Sequence, residues 1–451
     1  MIFFNVWARM TQRVTQLQLD QTVNAPWYVP LFFAAGAFAV TWARAELALP
    51  LLVLFSAFDR YRFEIAGAGL RIEHFVFLGA ALAWVTRTRP NFKSFYFSRA
   101  DFLLAAYLGV GLIASLWYAP NARESLKFLG LMAYGVALFW FVRALSADAA
   151  AFARGMWVLI LVGVGASAFG IFAWLLFPFG VNLGVQTYTL ESFETFSAYG
   201  ILYDSNTLGM YAMAAALVQI TLVLDASFAR WRGALGAGIV LTLTAVALSL
   251  TRTAWIALLC GLFLILLSSP RRRWALAIGG AALVLLVGAL VLSSALAGGG
   301  SALADFSAAR LFASKSVFFR LEGSARAWQD FLTSPLLGHG VNTFAQKYDS
   351  PAGTRDWISN WALMALHDTG VVGFAILAAW LLWLGAQTWR TLRAARGQLR
   401  AFLLALAIAY AALLIAYQAT SVFWLGWNWV YVGLLAGGNV AVRREAARNE
   451  T

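Results

Sequence analysis

The chain has 451 residues, 62% hydrophobic and only 12% charged, against about 25% charged in a soluble globular protein. That excludes an ordinary soluble domain and points to a polytopic membrane protein. Basic residues exceed acidic ones by 13, but Arg clusters in short loops account for the surplus through the positive-inside rule, so no nucleic-acid partner is expected.

Cys260 is the single cysteine and lies in an apolar run, and the histidines His74, His339 and His367 are scattered. This pattern excludes an intramolecular disulfide and a cysteine-rich zinc site, and no metal or cofactor is expected. No cleavable signal peptide is expected either, because no short apolar run at the start ends in a small-residue site.

In residues 1–19, Phe3, Trp7, Met10, Val14 and Leu17 recur in steps of four and three. Segment 1–27 therefore reads as an interfacial amphipathic helix, with a disordered tail as the alternative. Spanning runs follow near 28–58, 71–86, 101–119, 125–145, 152–178, 205–225, 233–250, 253–269 and 274–297, then 371–390, 400–418 and 422–440. The predicted class is all-α, with about twelve transmembrane helices, a helical region 28–297, C-terminal spans in 371–440 and a tail 441–451. The first run is interrupted by Arg44, Glu46 and Pro50, so it is a broken crossing or a tight hairpin.

Arginines cluster after 86, around 230, at 271–273, across 390–400 and in the tail. Crossing parity puts these clusters on one side, which is then cytoplasmic together with both termini. The long segment 298–370 faces outward, carries short helices and balances six basic against six acidic residues. Its length far exceeds an ordinary connection and marks it as functional.

Candidate chemistry lies on that outward side. In DSNTLG, 204–209, Asp204, Ser205 or Asn206 caps a helix whose N-terminus favours anions, although capping alone explains these residues. Arg252 in LTRTAW stands at membrane depth against the charge rule, either as a functional cation or as an arginine reaching lipid headgroups. Residues Arg320–Thr333 read as a helix with an apolar stripe of Leu321, Ala325, Trp328 and Leu332. Glu322 and Arg326 are four apart and should pair, which leaves Arg320 as the better anion ligand.

Gly338-His339-Gly340 forms a turn whose amides can approach a ligand, or an ordinary loop turn. Asn360 and His367 share a helix face, where His367 could take a proton from a hydroxyl near neutral pH, or simply be satisfied by a neighbouring helix. Asp368 is not expected to orient it, since adjacent helix positions diverge. Glu191 and Glu194 are a further carboxylate pair. No Asp-x-Asp pair or nucleotide loop is present.

In this order and topology the chain resembles the O-antigen ligase and polymerase superfamily of bacterial envelope glycosyltransferases. DSNTLG is similar to the family's helix opening after an outer loop, and LTRTAWIAL to a segment carrying an essential arginine, here Arg252. Arg320-Leu321-Glu322, Pro335 to Gly340 and Phe344 resemble the large outer loop, and Asn360, Gly370 and Gly373 the closing motif. Two departures stand out. The motif's usual histidine is Ser359 here, which cannot be a base near neutral pH. The arginine some relatives carry before DSNTLG is also missing, with Tyr199 and Tyr203 in that region.

The resemblance implies an undecaprenyl-pyrophosphate-linked glycan donor in the bacterial inner membrane. The acceptor would be a lipid-linked repeat, lipid A-core or protein hydroxyl. Transfer would be inverting and metal-free on the periplasmic side. Arg252, Arg320, Asn206 and Arg326 are the expected pyrophosphate ligands, and His367, His339, Ser359 and Asn360 the expected catalytic positions. The competing class is a lipid or sugar transporter, which would place ionisable groups at the midplane of a repeated architecture.

Overall fold

The computed structural model describes residues 28–65, 68–88, 98, 100–190, 193–269, 271–296, 315–348, 357–420 and 422–450. The expected amphipathic segment 1–19 and the first part of the outward loop lie outside them. The helices are α1 (Tyr28–Ala43), α2 (Ala48–Phe55), α3 (Ile72–Thr88), α4 (Asp101–Trp117), α5 (Ala122–Leu145) and α6 (Ala149–Leu176). They continue with α7 (Ser205–Leu224), α8 (Arg232–Leu248), α9 (Arg252–Ser268) and α10 (Arg272–Leu296). The last five are α11 (Lys315–Thr333), α12 (Phe344–Lys347), α13 (Trp361–Ala394), α14 (Gly397–Ala416) and α15 (Gly426–Glu450).

The all-α expectation needs one amendment. Two short antiparallel hairpins cap the bundle, β1 (Arg62–Ile65) with β2 (Ala68–Arg71) and β3 (Val185–Leu190) with β4 (Phe193–Ala198). The second is rich in Thr, Tyr and Phe, residues that fit a pleated surface.

Helix α7 is the core of the bundle. It is apolar all round, as a helix enclosed by others must be, and it is almost wholly buried. It packs against α6, α8, α9 and α14. A Cβ on Gly163 of α6 would fall 2.6 Å from the Ala215 Cβ, so small residues set how closely these helices approach.

Among the described residues six helical segments are long and apolar enough to cross a membrane: Ala122–Leu145, Ala149–Phe179, Ser205–Leu224, Ala226–Leu248, Trp361–Ala394 and Gly397–Ala416. That is half of the twelve expected. The other expected runs do fall on helices, but several are cut short by turns: Tyr28–Ala43, Ala45–Phe55, Asp101–Trp117 and Arg252–Ser268 are all shorter apolar pieces.

The first run is a hairpin. Arg87 reaches the carbonyl of Trp42, and Gly79 is pressed on the carbonyl of Ala34. Both contacts advance in the same direction along α1 and α3, so these helices run parallel and α2 returns. Tyr28 therefore starts on the face that carries β1–β2, opposite the end of α15; residues 1–27, on which the expectation that both termini share one side depends, lie outside the described residues.

Helix α13 begins at Trp361, ten residues before the expected span, and is broken at Gly370 (φ 65°, ψ −171°). Its first turns belong to the segment 298–370 expected to face outward, and the remainder crosses the bundle.

Candidate active site

Two helix N-termini meet on the β-hairpin face. Asp204 caps α7, its Oδ1 accepting from the Thr207 amide at 2.7 Å. Thr251, before α9, donates from Oγ1 to the Ser205 carbonyl at 2.9 Å. The turn into α9 carries Leu250 at φ 52°, and Arg252 is the first residue of that helix. Asn206, half-buried, donates to Asp204 Oδ2 at 3.3 Å.

Arg252 and Arg320 are electrostatic neighbours, although 67 residues separate them in the chain. Arg320 sits near the start of α11. That helix docks through Ala327 and Phe331, which are buried. The expected apolar stripe faces away from the protein, with Leu321 62% exposed and Trp328 and Leu332 also open. An amphipathic helix at the end of a bundle with its apolar face outward has the geometry of a membrane-interface helix. Arg326 pairs with Glu322 as expected and lies 5.8 Å from the centre of the Tyr348 ring.

Asp330, at the far end of α11, organises a second cluster. Its carboxylate accepts from Tyr348 Oη at 3.1 Å and from Lys347 Nζ at 3.4 Å. It also lies 3.5 Å from His367 Nε2. His367 is fully buried. Its Nδ1 is 2.9 Å from Asp368 Oδ1. The neighbour that helix geometry seemed to exclude is thus the ring's hydrogen-bond partner, in the turn just before the break at Gly370. Asp368 Oδ2 in turn accepts from the Asn342 amide at 3.0 Å.

His339 stacks on His367 with ring centres 5.2 Å apart and is only partly buried. Its Nε2 donates to the Asp330 carbonyl at 2.6 Å, so Nδ1 is the ring atom that accepts a proton. Burial holds this imidazole below its ordinary pKa, against the Asp330 carbonyl, which favours the charged form. Burial, with the Asp330 carboxylate beside it, pushes the Tyr348 phenol up.

The Gly338-His339-Gly340 amides do not wait for a ligand. His339 N donates to the His367 carbonyl at 2.8 Å and Gly340 N to the Asp368 carbonyl at 3.0 Å. Ser359 is half-buried, and Asn360 caps α13, accepting from the Leu363 amide at 2.9 Å. Glu191 lies outside the described residues, as does the side chain of Glu194.

The two clusters do not coincide. Arg320 and Asp330 are ten positions apart on α11, about 15 Å along the axis.

Sequence reasoning missed Asp330, Lys347, Tyr348 and the cations of the first hairpin. Arg60 is buried, donates to the Leu183 and Gly200 carbonyls at 2.9 and 3.1 Å, and lies 4.9 Å from the Tyr199 ring centre. Arg62 lies 4.4 Å from the Tyr203 ring centre. Positive charge therefore reaches both tyrosines from a distant element. Asp59 beside them is fully buried, and burial pushes its carboxyl well above the usual range. An apolar groove of about 560 Å³ opens next to this corner, lined by Val40, Leu51, Leu54, Phe58, Leu161 and Ile201 among others.

No curated protein matches the chain. A chain of the solved structure described as "Structural coordination of polymerization and crosslinking by a peptidoglycan synthase complex" aligns at 17% identity, covering 77% of this chain and 97% of that one, with a TM-score of 0.42. Residues 237–378 match the family model described as O-Antigen ligase. That stretch holds Arg252, Arg320, Arg326, His339, Ser359, Asn360 and His367, and over it the chain is similar to the O-antigen ligase family; its long apolar helices are those of a multi-pass membrane protein.

Proposed function

We propose that the protein transfers a glycan from undecaprenyl pyrophosphate to an acceptor hydroxyl on the periplasmic side of the inner membrane, with inversion and without a metal. The observation that carries this reading is the meeting of Arg252 and Arg320. Two like charges repel, and an anion held between them relieves that repulsion. In the reaction an acceptor hydroxyl attacks the anomeric carbon, the bond from that carbon to the phosphate oxygen breaks, and lipid pyrophosphate leaves. Negative charge grows on the leaving oxygen, where preorganised guanidiniums stabilise it. The hydroxyl proton goes to a base.

His367 is enclosed and touches substrate only through its surroundings, so His339 Nδ1 is the proton acceptor in this reading. His367, Asp330 and Asp368 fix the ring behind it. Asn206 and Arg326 flank the pyrophosphate site, and Asn360 positions the first turn of α13. The groove beside Phe58 and Ile201 accommodates the polyprenyl tail, since its lining is almost wholly apolar. About twelve crossings, counting the short helices, remain the proposed topology.

The test uses purified protein with lipid-linked glycan. Arg252→Lys and Arg320→Lys keep charge but lose the two-pronged geometry. Each is expected to slow transfer by about 10²–10³ while the protein still accumulates in the membrane. Wild-type rates in both variants would overturn the arginine assignment. A deletion strain separates the two subclasses: polymer that stays lipid-linked means ligase, and accumulated single repeats mean polymerase.

A further inference from the structure

The opposite end of the bundle holds a second polar cavity, of about 500 Å³, between the ends of α5, α13 and α15. Of these, α13 carries His367 of the candidate active site near its other end. The cavity's polar lining comprises Ser98, Arg143, Gln387, Asn439, Arg443 and Arg444, and among the described residues no acidic one lines it.

The charges are built in. Arg143 is buried and its guanidinium is matched by Asp101, at 2.7 and 2.8 Å from the two carboxylate oxygens. That pair cancels. Arg443 is held by its Nε donating to the Asn439 carbonyl at 3.0 Å, and Arg444 by donating to the Ala147 carbonyl at 3.0 Å. Both guanidiniums are thereby oriented at the cavity.

Two polar side-chain atoms of the lining are buried without a partner, Ser98 Oγ and Asn439 Oδ1. Asn439 is 1% exposed, and its amide nitrogen is already used, donating to Thr388 Oγ1 at 2.9 Å. A buried carbonyl oxygen left unsatisfied is costly unless a ligand supplies a donor. The cavity thus presents positive charge for an anion and an acceptor for a hydroxyl.

Its surroundings identify the source of that anion. Leu382 and Trp389, on α13 beside the cavity, are exposed, and Arg393 stacks on Trp389 at 4.9 Å. Exposed apolar residues with Trp and Arg at one level mark a membrane–water interface. Basic pockets between spanning helices there suit anionic headgroups.

We propose that this cavity binds the headgroup of an anionic phospholipid of the phosphatidylglycerol type. Arg443 and Arg444 hold the phosphodiester, and a headgroup hydroxyl donates to Asn439 Oδ1. The site is separate from the transfer reaction and stands or falls without it.

The full-length protein in neutral detergent is titrated with phosphatidylglycerol, phosphatidylcholine or inorganic phosphate, and bound lipid is counted by native mass spectrometry. Wild type is expected to prefer phosphatidylglycerol over phosphatidylcholine by at least about tenfold. Arg443→Gln/Arg444→Gln is expected to abolish the preference, whereas Arg272→Gln/Arg273→Gln, exposed on the same face, keeps it. Asn439→Leu retains both charges and is expected to weaken phosphatidylglycerol alone, which serves if the double arginine variant fails to fold. Equal binding of the two lipids by wild type overturns the proposal. So does an equal loss in Arg272→Gln/Arg273→Gln, which would mean general surface attraction, or displacement of phosphatidylglycerol by inorganic phosphate at equal concentration, which would mean a free-anion site.

Discussion

Gly370→Ala is expected to disable the enzyme by opening the joint that carries both histidines. Gly370 has φ 65° and ψ −171°, a region essentially restricted to glycine, and forcing another residue there costs about 1–3 kcal/mol. Space makes matters worse. A Cβ would fall 2.2 Å from the Leu336 carbonyl oxygen and 2.6 Å from the Leu337 nitrogen, and these are backbone atoms that cannot rotate away. The segment 335–340 must move off α13. Four backbone hydrogen bonds clamp it there: His339 to His367, Gly340 to Asp368, Val371 to Pro335 and Val372 to Leu336, at 2.8, 3.0, 2.8 and 3.3 Å. Losing two of them at about 0.5–1.5 kcal/mol each brings the total to about 2–6 kcal/mol, a large share of a domain's about 5–15 kcal/mol. A shift of about 1 Å in a positioning group costs about 10² in rate, so transfer of lipid-linked glycan should fall at least that far, with a lowered melting temperature in detergent. Gly385→Ala on the same helix is the control, since nothing lies within 4 Å of its Cβ. If Gly370→Ala matches wild type in rate and melting, or Gly385→Ala is as harmful, the clamp is not what positions the histidines.

The remaining expectations follow from single contacts. Asp330→Asn should slow transfer, and combined with His339→Ala the two losses should be non-additive by about 0.5–3 kcal/mol, because both act on one hydrogen-bonded unit; strict additivity in a double-mutant cycle would separate them. Burial lowers the His339 pKa, so the unfolded chain takes up the proton first as pH falls. Its stabilisation is complete above about pH 6.5, the unfolded value, and is lost as pH drops through the lower folded value. Melting followed from pH 7.5 to 5 should show a smaller acid loss in His339→Gln. Asp101→Leu removes the carboxylate that pairs with buried Arg143, at a cost of about 3–5 kcal/mol; Asp101→Leu/Arg143→Met should recover most of it in thermal unfolding.

Much of this architecture was legible because membrane helices announce themselves by apolar length. The cap at Asp204, the Glu322–Arg326 pair and the interruption at Arg44 were also local signals. What was not legible is non-local. Nothing near Asp330 marks it, since its partner His367 lies 37 residues on and α12 brings in Lys347 and Tyr348. Arg60 and Arg62 precede Tyr199 and Tyr203 by well over a hundred residues, so the charge at that corner looked absent. Helical spacing misjudged Asp368 because a wheel assigns directions to whole side chains, whereas a short carboxylate can still reach the ring beside it. The Gly-His-Gly turn misled in a different way. Glycines permit close approach, but the partner approached is the backbone of α13.

Helix α11 connects these observations on the proposed reading. It carries Arg320 toward Arg252 and, about 15 Å further along its axis, Asp330 toward His367 and His339. One rigid element therefore sets the distance between the pyrophosphate site and the base. Its hold on the bundle is uneven. The Asp330 end is tied by Tyr348, Lys347 and the stacked histidines. The Arg320 end meets the like charge of Arg252. A pyrophosphate seated between the two guanidiniums in the proposed reading would tie this end of the helix to the core. By linkage, whatever binds only the docked helix also stabilises it. Donor binding and alignment of the base then become a single event, with no second element required to report one to the other.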